Sequence, residues 1–94
     1  MISMERDVEL ALVNRLRAGD TSAFDEIYEA FSPSLLSFLC RMSGNRALAE
    51  DLLEETWLRL VTSRASLQAD TSLAPWLFTV ARNLYVSYCR SRAR

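Results

Sequence analysis

Histidine and lysine are missing from this 94-residue chain, and it has only two glycines, two prolines and two cysteines. Each scarcity excludes something. Without histidine, His-based nucleophilic catalysis and the commonest form of metal ligation are remote. Cys40 and Cys89 are too few and too far apart for a disulfide framework or a zinc site. Each reads as a small buried hydrophobe rather than a reactive thiol. So little glycine and proline leaves few turns, which favours a few long helices over many short strands. Neither glycine lies in a phosphate-cradling loop. No apolar run approaches the length of a membrane span. The opening MISMERDVEL lacks the basic-then-apolar layout of a secretory signal. These readings give a cytoplasmic protein without membrane insertion. Adjacent carboxylates such as Asp25/Glu26 and Glu54/Glu55 point about 100° apart on a helix and make no acid–base pair. No catalytic residue, metal or cofactor is expected, and the chain does not read as an enzyme.

What is present bounds the fold. Half of the residues are apolar, enough for one modest core, and the length predicts a single domain over 1–94. The net charge of −1 conceals a segregation. Residues 1–55 hold eleven of the twelve acids and five arginines, and residues 56–94 hold Asp70 and six arginines. Such asymmetry points to two partners of opposite sign. Every basic residue is arginine, which pairs bidentately with phosphate and stacks on flat rings better than lysine does.

Taken in order, the chain predicts an all-α fold, a compact bundle of about four helices. The first spans 6–18, with Val8, Leu12 and Leu16 beside Leu10 and Val13, and Gly19 as its left-handed stop. Asp20, Thr21 and Ser22 offer caps for a second helix over 22–43. Its apolar stripe is Phe24, Ile27, Tyr28 and Phe31, continued by Leu35, Leu36, Phe38, Leu39 and Met42. Pro33 predicts a kink or short break. Asn45 caps a third helix over 46–63. A loop follows, and Ser72 is expected to cap a fourth helix over 73–92, with Pro75 in its first turn.

Two surfaces stand out. On the third helix, Leu48, Ala49, Leu52, Leu53, Trp57, Leu60 and Val61 fall on one broad arc, the core side. Asp51, Glu54, Glu55 and Leu58 lie opposite, with Arg59. Single exposed leucines are ordinary, but this stripe equally fits a docking surface for a basic partner. On the fourth helix the core arc is Trp76, Leu77, Val80, Ala81, Leu84 and Tyr88. The other arc interleaves Phe78, Tyr85, Val86 and Cys89 with Arg82, Asn83 and Arg90, and Arg92 and Arg94 extend the basic character. Arginines supply phosphate contacts, aromatic rings supply stacking platforms, and an Asn can read a base edge. The alternative is that Phe78 and Tyr85 pack on a neighbouring helix while the arginines are solvated.

Three segments occur in order: LVNRLRAGDTSAFDEIYE over 12–29, AEDLLEETWLRLV over 49–61 and WLFTVARNLYVSYCRSRAR over 76–94. Together they closely resemble region 2, the N-terminal domain, of bacterial extracytoplasmic-function sigma factors of the sigma-70 family. The resemblance implies a helical transcription-initiation module. It assigns Asp51, Glu54, Glu55 and Leu58 to a coiled coil of the RNA polymerase β′ subunit. It assigns the loop Leu67–Ser72 (Leu67, Gln68, Asp70, Thr71 and Ser72) and Arg82, Asn83, Tyr85 and Arg90 to opening promoter DNA and holding the nontemplate strand of the −10 element. It also implies an anti-sigma factor that covers these surfaces. A helical domain that binds an anti-sigma factor without DNA is the competing reading. Glu54 stands where the family often has Gln. The family's further helix-turn-helix domain for the −35 element is absent from this chain, as in a fragment or a truncated relative. This piece alone is therefore expected to bind promoter weakly.

Overall fold

The computed structural model describes residues 4–93. Residues 1–3 of the N-terminal stretch, and Arg94 at the end of the basic stretch, lie outside the described residues. Four α-helices follow one another: α1 (Arg6–Arg17), α2 (Thr21–Ser43), α3 (Arg46–Ser63) and α4 (Leu73–Arg92). A short 3-10 turn over Arg64–Ser66 continues α3 into the loop. No strand occurs among the described residues.

The helix boundaries follow local chemistry. Gly19 takes φ +92° at the end of α1. Its N–H donates to the Leu16 carbonyl and that of Asp20 to the Arg15 carbonyl, so two orphan carbonyls of α1 are satisfied. Asp20 then caps α2, accepting from the backbone N–H of Ser22 at 2.9 Å and from its hydroxyl at 2.7 Å. Gly44, at φ +65°, closes α2, and the Asn45 carboxamide oxygen accepts from the Leu48 N–H at 3.1 Å to start α3. The expected break at Pro33 is absent, because α2 is continuous through it. Pro33 lies on the exposed side, where the freed Glu29 carbonyl can be hydrated, while Phe31 and Leu35 are buried on the inner side and hold both halves against the core.

α2 is the central element and packs against each of the other three helices. Its residues Ala23, Ile27, Phe31, Leu35 and Leu39 form a buried spine four residues apart. α1 contributes Leu12, Val13 and Leu16, α3 contributes Ala49, Leu52, Trp57 and Leu60, and α4 contributes Leu73, Leu77 and Ala81. Trp57 meets Phe24 edge-on at 5.7 Å and Tyr28 at 5.2 Å between ring centroids, tying α3 to α2. Such pairs add about 0.5–1.5 kcal/mol each beyond area burial. Thr56 is wholly buried in α3, and its hydroxyl donates to the Leu52 carbonyl at 2.8 Å. That internal bond lets a polar side chain occupy the core.

Three expectations about packing are corrected. Val61, placed on the core arc, is 42% exposed: it lies at the edge of that arc, beside a cleft it lines with Leu16, Gly19, Phe24 and Arg64. Val8 is exposed as well. Cys89 is exposed and Cys40 only half-buried, so neither is a fully buried hydrophobe.

Candidate protein and nucleic-acid interfaces

Helical spacing puts Asp51, Glu54, Glu55 and Leu58 on one stripe of α3, running about 10 Å along the axis at 1.5 Å per residue. Asp51, Glu54 and Leu58 are exposed and Glu55 is half-exposed. Leu58 is 56% exposed, the most of any large apolar side chain among the described residues. Glu55 makes a long 3.4 Å ion pair with Arg59, one turn on. Asp51 and Glu54 make no ion pair among the described residues, so their carboxylates are free for a cationic partner. Val61 lies three residues after Leu58 and extends the apolar spot. The sequence pattern missed it because it is apolar and borders the core arc. Beside the stripe, Tyr28, Leu36, Glu50, Leu53, Glu54 and Trp57 line a cleft of about 300 Å³ between α2 and α3. The buried indole N–H of Trp57 has no hydrogen-bond partner among the described residues.

The second surface is the loop before α4 together with the outer side of α4. The loop residues do not behave alike. Leu67 is a correction: it is buried in the core, with 6% of its surface exposed, so it anchors the loop from inside. Its period-free surroundings in the sequence gave no sign of this. Gln68 and Asp70 are exposed, and their side chains make no hydrogen bond among the described residues. Thr71 is half-buried, its hydroxyl donating to the Gln68 carbonyl at 2.8 Å and its N–H to the same oxygen at 3.1 Å. Ser72 is exposed, but its side chain does not cap α4, a second correction. The Leu73 N–H donates instead to Glu9 Oε2 on α1, at 2.7 Å.

On α4, Arg82, Asn83 and Arg90 are exposed, and Arg82 Nη1 donates to Asn83 Oδ1 at 3.3 Å. Arg82 and Arg90 are eight residues, or about 12 Å, apart along the axis. The aromatics assigned to that side are drawn partly inward. Phe78 is half-buried and meets Phe38 of α2 edge-on at 5.1 Å. It is a helix-packing residue. Tyr85 is half-buried against the core margin and keeps part of its surface open. A hydrogen bond with the Cys89 side chain pushes the Tyr85 hydroxyl above its ordinary pKa. The phenol is therefore neutral at physiological pH. Further along, the Arg92 guanidinium lies 5.7 Å over the Tyr88 ring. The outer side of α4 thus presents Arg82, Asn83, Arg90 and the exposed Cys89, with Tyr85 and Val86 partly open.

Among the described residues no three His, Cys, Asp or Glu side chains gather to hold a metal ion, and no helix is long and apolar enough to cross a membrane. The site is two faces of opposite charge on neighbouring helices. One can take a basic, partly apolar protein surface, and the other can take a phosphate backbone.

Comparisons with known proteins identify the family. The family model for sigma-70 region 2 matches residues 27–94. The RNA polymerase sigma factor CarQ of Myxococcus xanthus is 41% identical over 71 residues, which cover 76% of this chain and 41% of that protein. The ECF RNA polymerase sigma factor EcfG of Rhodopseudomonas palustris is 44% identical over 70 residues, covering 74% and 38%. The ECF RNA polymerase sigma factor SigM of Bacillus subtilis is 39% identical over 70 residues, covering 74% and 42%. The chain spans about two fifths of the length of these relatives. No solved structure gives a significant match.

Proposed function

Since this chain belongs to the sigma-70 family, as a region 2 domain of the extracytoplasmic-function kind, we propose that it docks on core RNA polymerase through α3 and holds the promoter −10 element with the 67–72 loop and α4. Sigma factors are non-enzymatic transcription initiation factors, and the chain acts by binding. One observation carries the reading: an open acidic stripe with an exposed leucine and an open arginine side occupy different helices of one small domain. Both can be engaged at once.

On α3, the partner is the β′ coiled coil. Its basic residues meet Asp51, Glu54 and Glu55, and an apolar side chain covers Leu58 and Val61. Burying the exposed part of Leu58 contributes about 1–2 kcal/mol, whereas exposed ion pairs contribute about 0–1 kcal/mol each. Leu58 is therefore the energetic centre of the contact, and the carboxylates steer it. On the other surface, Arg82 and Arg90 bind phosphates of the nontemplate strand. Asn83, the open part of Tyr85 and the loop side chains of Gln68 and Asp70 face the bases. Thr71 and Ser72 shape the loop. Extruding a base from the duplex costs a few kcal/mol, and the polymerase contact and the arginines offset that cost.

The deciding experiment is a pull-down of the chain against core RNA polymerase, with Leu58→Arg alongside. Retention of the wild type with loss of the variant, both folded by circular dichroism, supports the reading. Equal retention of the two removes α3 as the docking face.

A second reading has an observation in its favour. The packing of Phe78 on Phe38 removes one of the aromatic platforms that a base-stacking surface would use. In that reading the domain binds an anti-sigma factor and no DNA. Fluorescence anisotropy with a labelled 12-nucleotide single strand separates the two, because only the first predicts salt-sensitive binding.

A further inference from the structure

The loop that precedes α4 is tied to α1, a helix far from it in sequence. Arg6 Nη2 donates to the Asp70 carbonyl at 2.6 Å. Arg6 Nη1 lies 3.4 Å from both the Thr71 carbonyl and Ser72 Oγ, and it pairs with Glu9 Oε1 at 2.7 Å. The other Glu9 oxygen accepts the Leu73 N–H at 2.7 Å. The Glu9 side chain is 13% exposed, so the carboxylate is held between the two helices.

The chemistry of a helix start explains why this matters. The first N–H groups of α4 have no partner within the helix. Ser72 is the residue type and position that ordinarily satisfies one, and its side chain does not. Glu9 takes that role from 64 residues away and adds a negative charge at the positive end of the α4 dipole. Arg6 then fastens the two carbonyls just before the helix. With Leu67 buried at the other end, the segment 68–72 is pinned at both sides. Of its polar side chains, those of Gln68 and Asp70 make no hydrogen bond among the described residues.

We propose that Arg6 and Glu9 are positioning residues for DNA: they form a clamp that holds the 67–72 loop in the one shape that accepts an unpaired base. The proposal rests on the reading that this loop contacts the promoter. Preorganisation of this kind improves selection, because a loose loop pays its ordering cost on binding and adapts to wrong bases as readily as to right ones. The clamp does not touch Arg82 or Arg90. It governs discrimination between sequences and leaves phosphate affinity alone.

The test uses the 94-residue chain and two fluorescein-labelled single-stranded 12-mers. One is enriched by the wild-type chain from a random pool, and the other is its scrambled counterpart. The wild type is expected to prefer the enriched strand by about tenfold or more, in line with the discrimination that one well-held base gives. Arg6→Ala and Glu9→Ala are expected to bring that preference below about threefold while affinity for the scrambled strand changes less than twofold. Glu9→Gln keeps an acceptor for the Leu73 N–H and restores much of the preference. Glu9→Ala is expected to lower the melting temperature by about 4–8 °C, as for one lost cap in a domain this size. Should it fail to fold, Arg6→Ala decides, since its contacts are on the surface. Amide exchange at Thr71 and Leu73 verifies that the loop has loosened. A loosened loop with undiminished preference overturns the clamp and leaves a helix cap. Absence of any preference in the wild type, or a preference that survives Gln68→Ala with Asp70→Ala, overturns the loop reading, and the clamp falls with it.

Discussion

Leu58 and Leu60 stand two residues apart on α3 with opposite fates, at 56% and 0% exposed. Truncating each to alanine tests the rotation of α3, on which the docking stripe depends. Leu60→Ala empties a packed site between α3 and its neighbours. Core Leu→Ala changes cost about 2–5 kcal/mol, through lost transfer energy and the cavity left behind. A domain of this length is stable by about 5–14 kcal/mol, at roughly 0.05–0.15 kcal/mol per residue. The variant therefore loses from about a seventh of its stability to all of it, and its melting temperature falls by at least about 8 °C. Leu58→Ala removes atoms already in water, and alanine is the better helix former. Its effect stays within about 0.5 kcal/mol. The assay is urea unfolding followed by far-UV circular dichroism, read as a shift in midpoint at constant slope. Comparable losses for the two variants, or a loss above about 2 kcal/mol for Leu58→Ala, would refute the assignment. Leu58 would then be core, and the stripe it shares with Asp51, Glu54 and Glu55 would not be an open docking face.

Three further outcomes are expected. Combining Arg82→Ala with Arg90→Ala flattens the salt dependence of single-strand binding, at about 0.7 in the log–log slope per phosphate contact removed; anisotropy from low to moderate salt reads it, and an unchanged slope places the phosphate contacts elsewhere. Hydrogen bonds from Ser22 and the ion pair with Arg15 lower the pKa of Asp20 from 3.8 to about 2. The stabilisation this carboxylate gives is present above its unfolded value and is lost as pH falls from about 4 towards 2, so Asp20→Asn flattens the acid limb of a stability–pH curve and leaves neutral pH almost unaffected in shape. Pro33→Ala restores a backbone donor to a continuous helix and raises stability by about 1–3 kcal/mol, less the entropy that proline removes from the unfolded chain; a lower urea midpoint would contradict the account of α2.

Some of the site was legible in the residues and some was not. Asp51, Glu54 and Leu58 were legible as an open stripe because their exposure depends only on the phase of one helix. Val61 was misplaced because its phase borders the core arc, and only the way α3 packs on its neighbours leaves it open. Phe78 and Tyr85 were placed on the outer side of α4 by phase, yet α2 brings Phe38 within reach and turns Phe78 into packing. Leu67 sits in a segment with no period to read, so its burial left no signal. Arg6 and Glu9 were invisible as site residues. A charged pair three apart in a first helical turn is an ordinary surface feature, and nothing local shows that it faces a loop more than sixty residues on.

The amino-acid sequence by itself determined the class of fold and the ends of its helices. It also set the separation of charge and, through three motifs in order, the family. Those properties arise from interactions within a turn or two of the chain: helical period, a glycine at positive φ, an Asp or Asn cap. The tertiary structure alone decided which apolar residues of α3 and α4 are covered, that Leu67 anchors the loop, and that a carboxylate of α1 caps α4. The physical reason is that burial and long-range hydrogen bonds depend on how two helices meet, and a period within one helix carries no record of its neighbour.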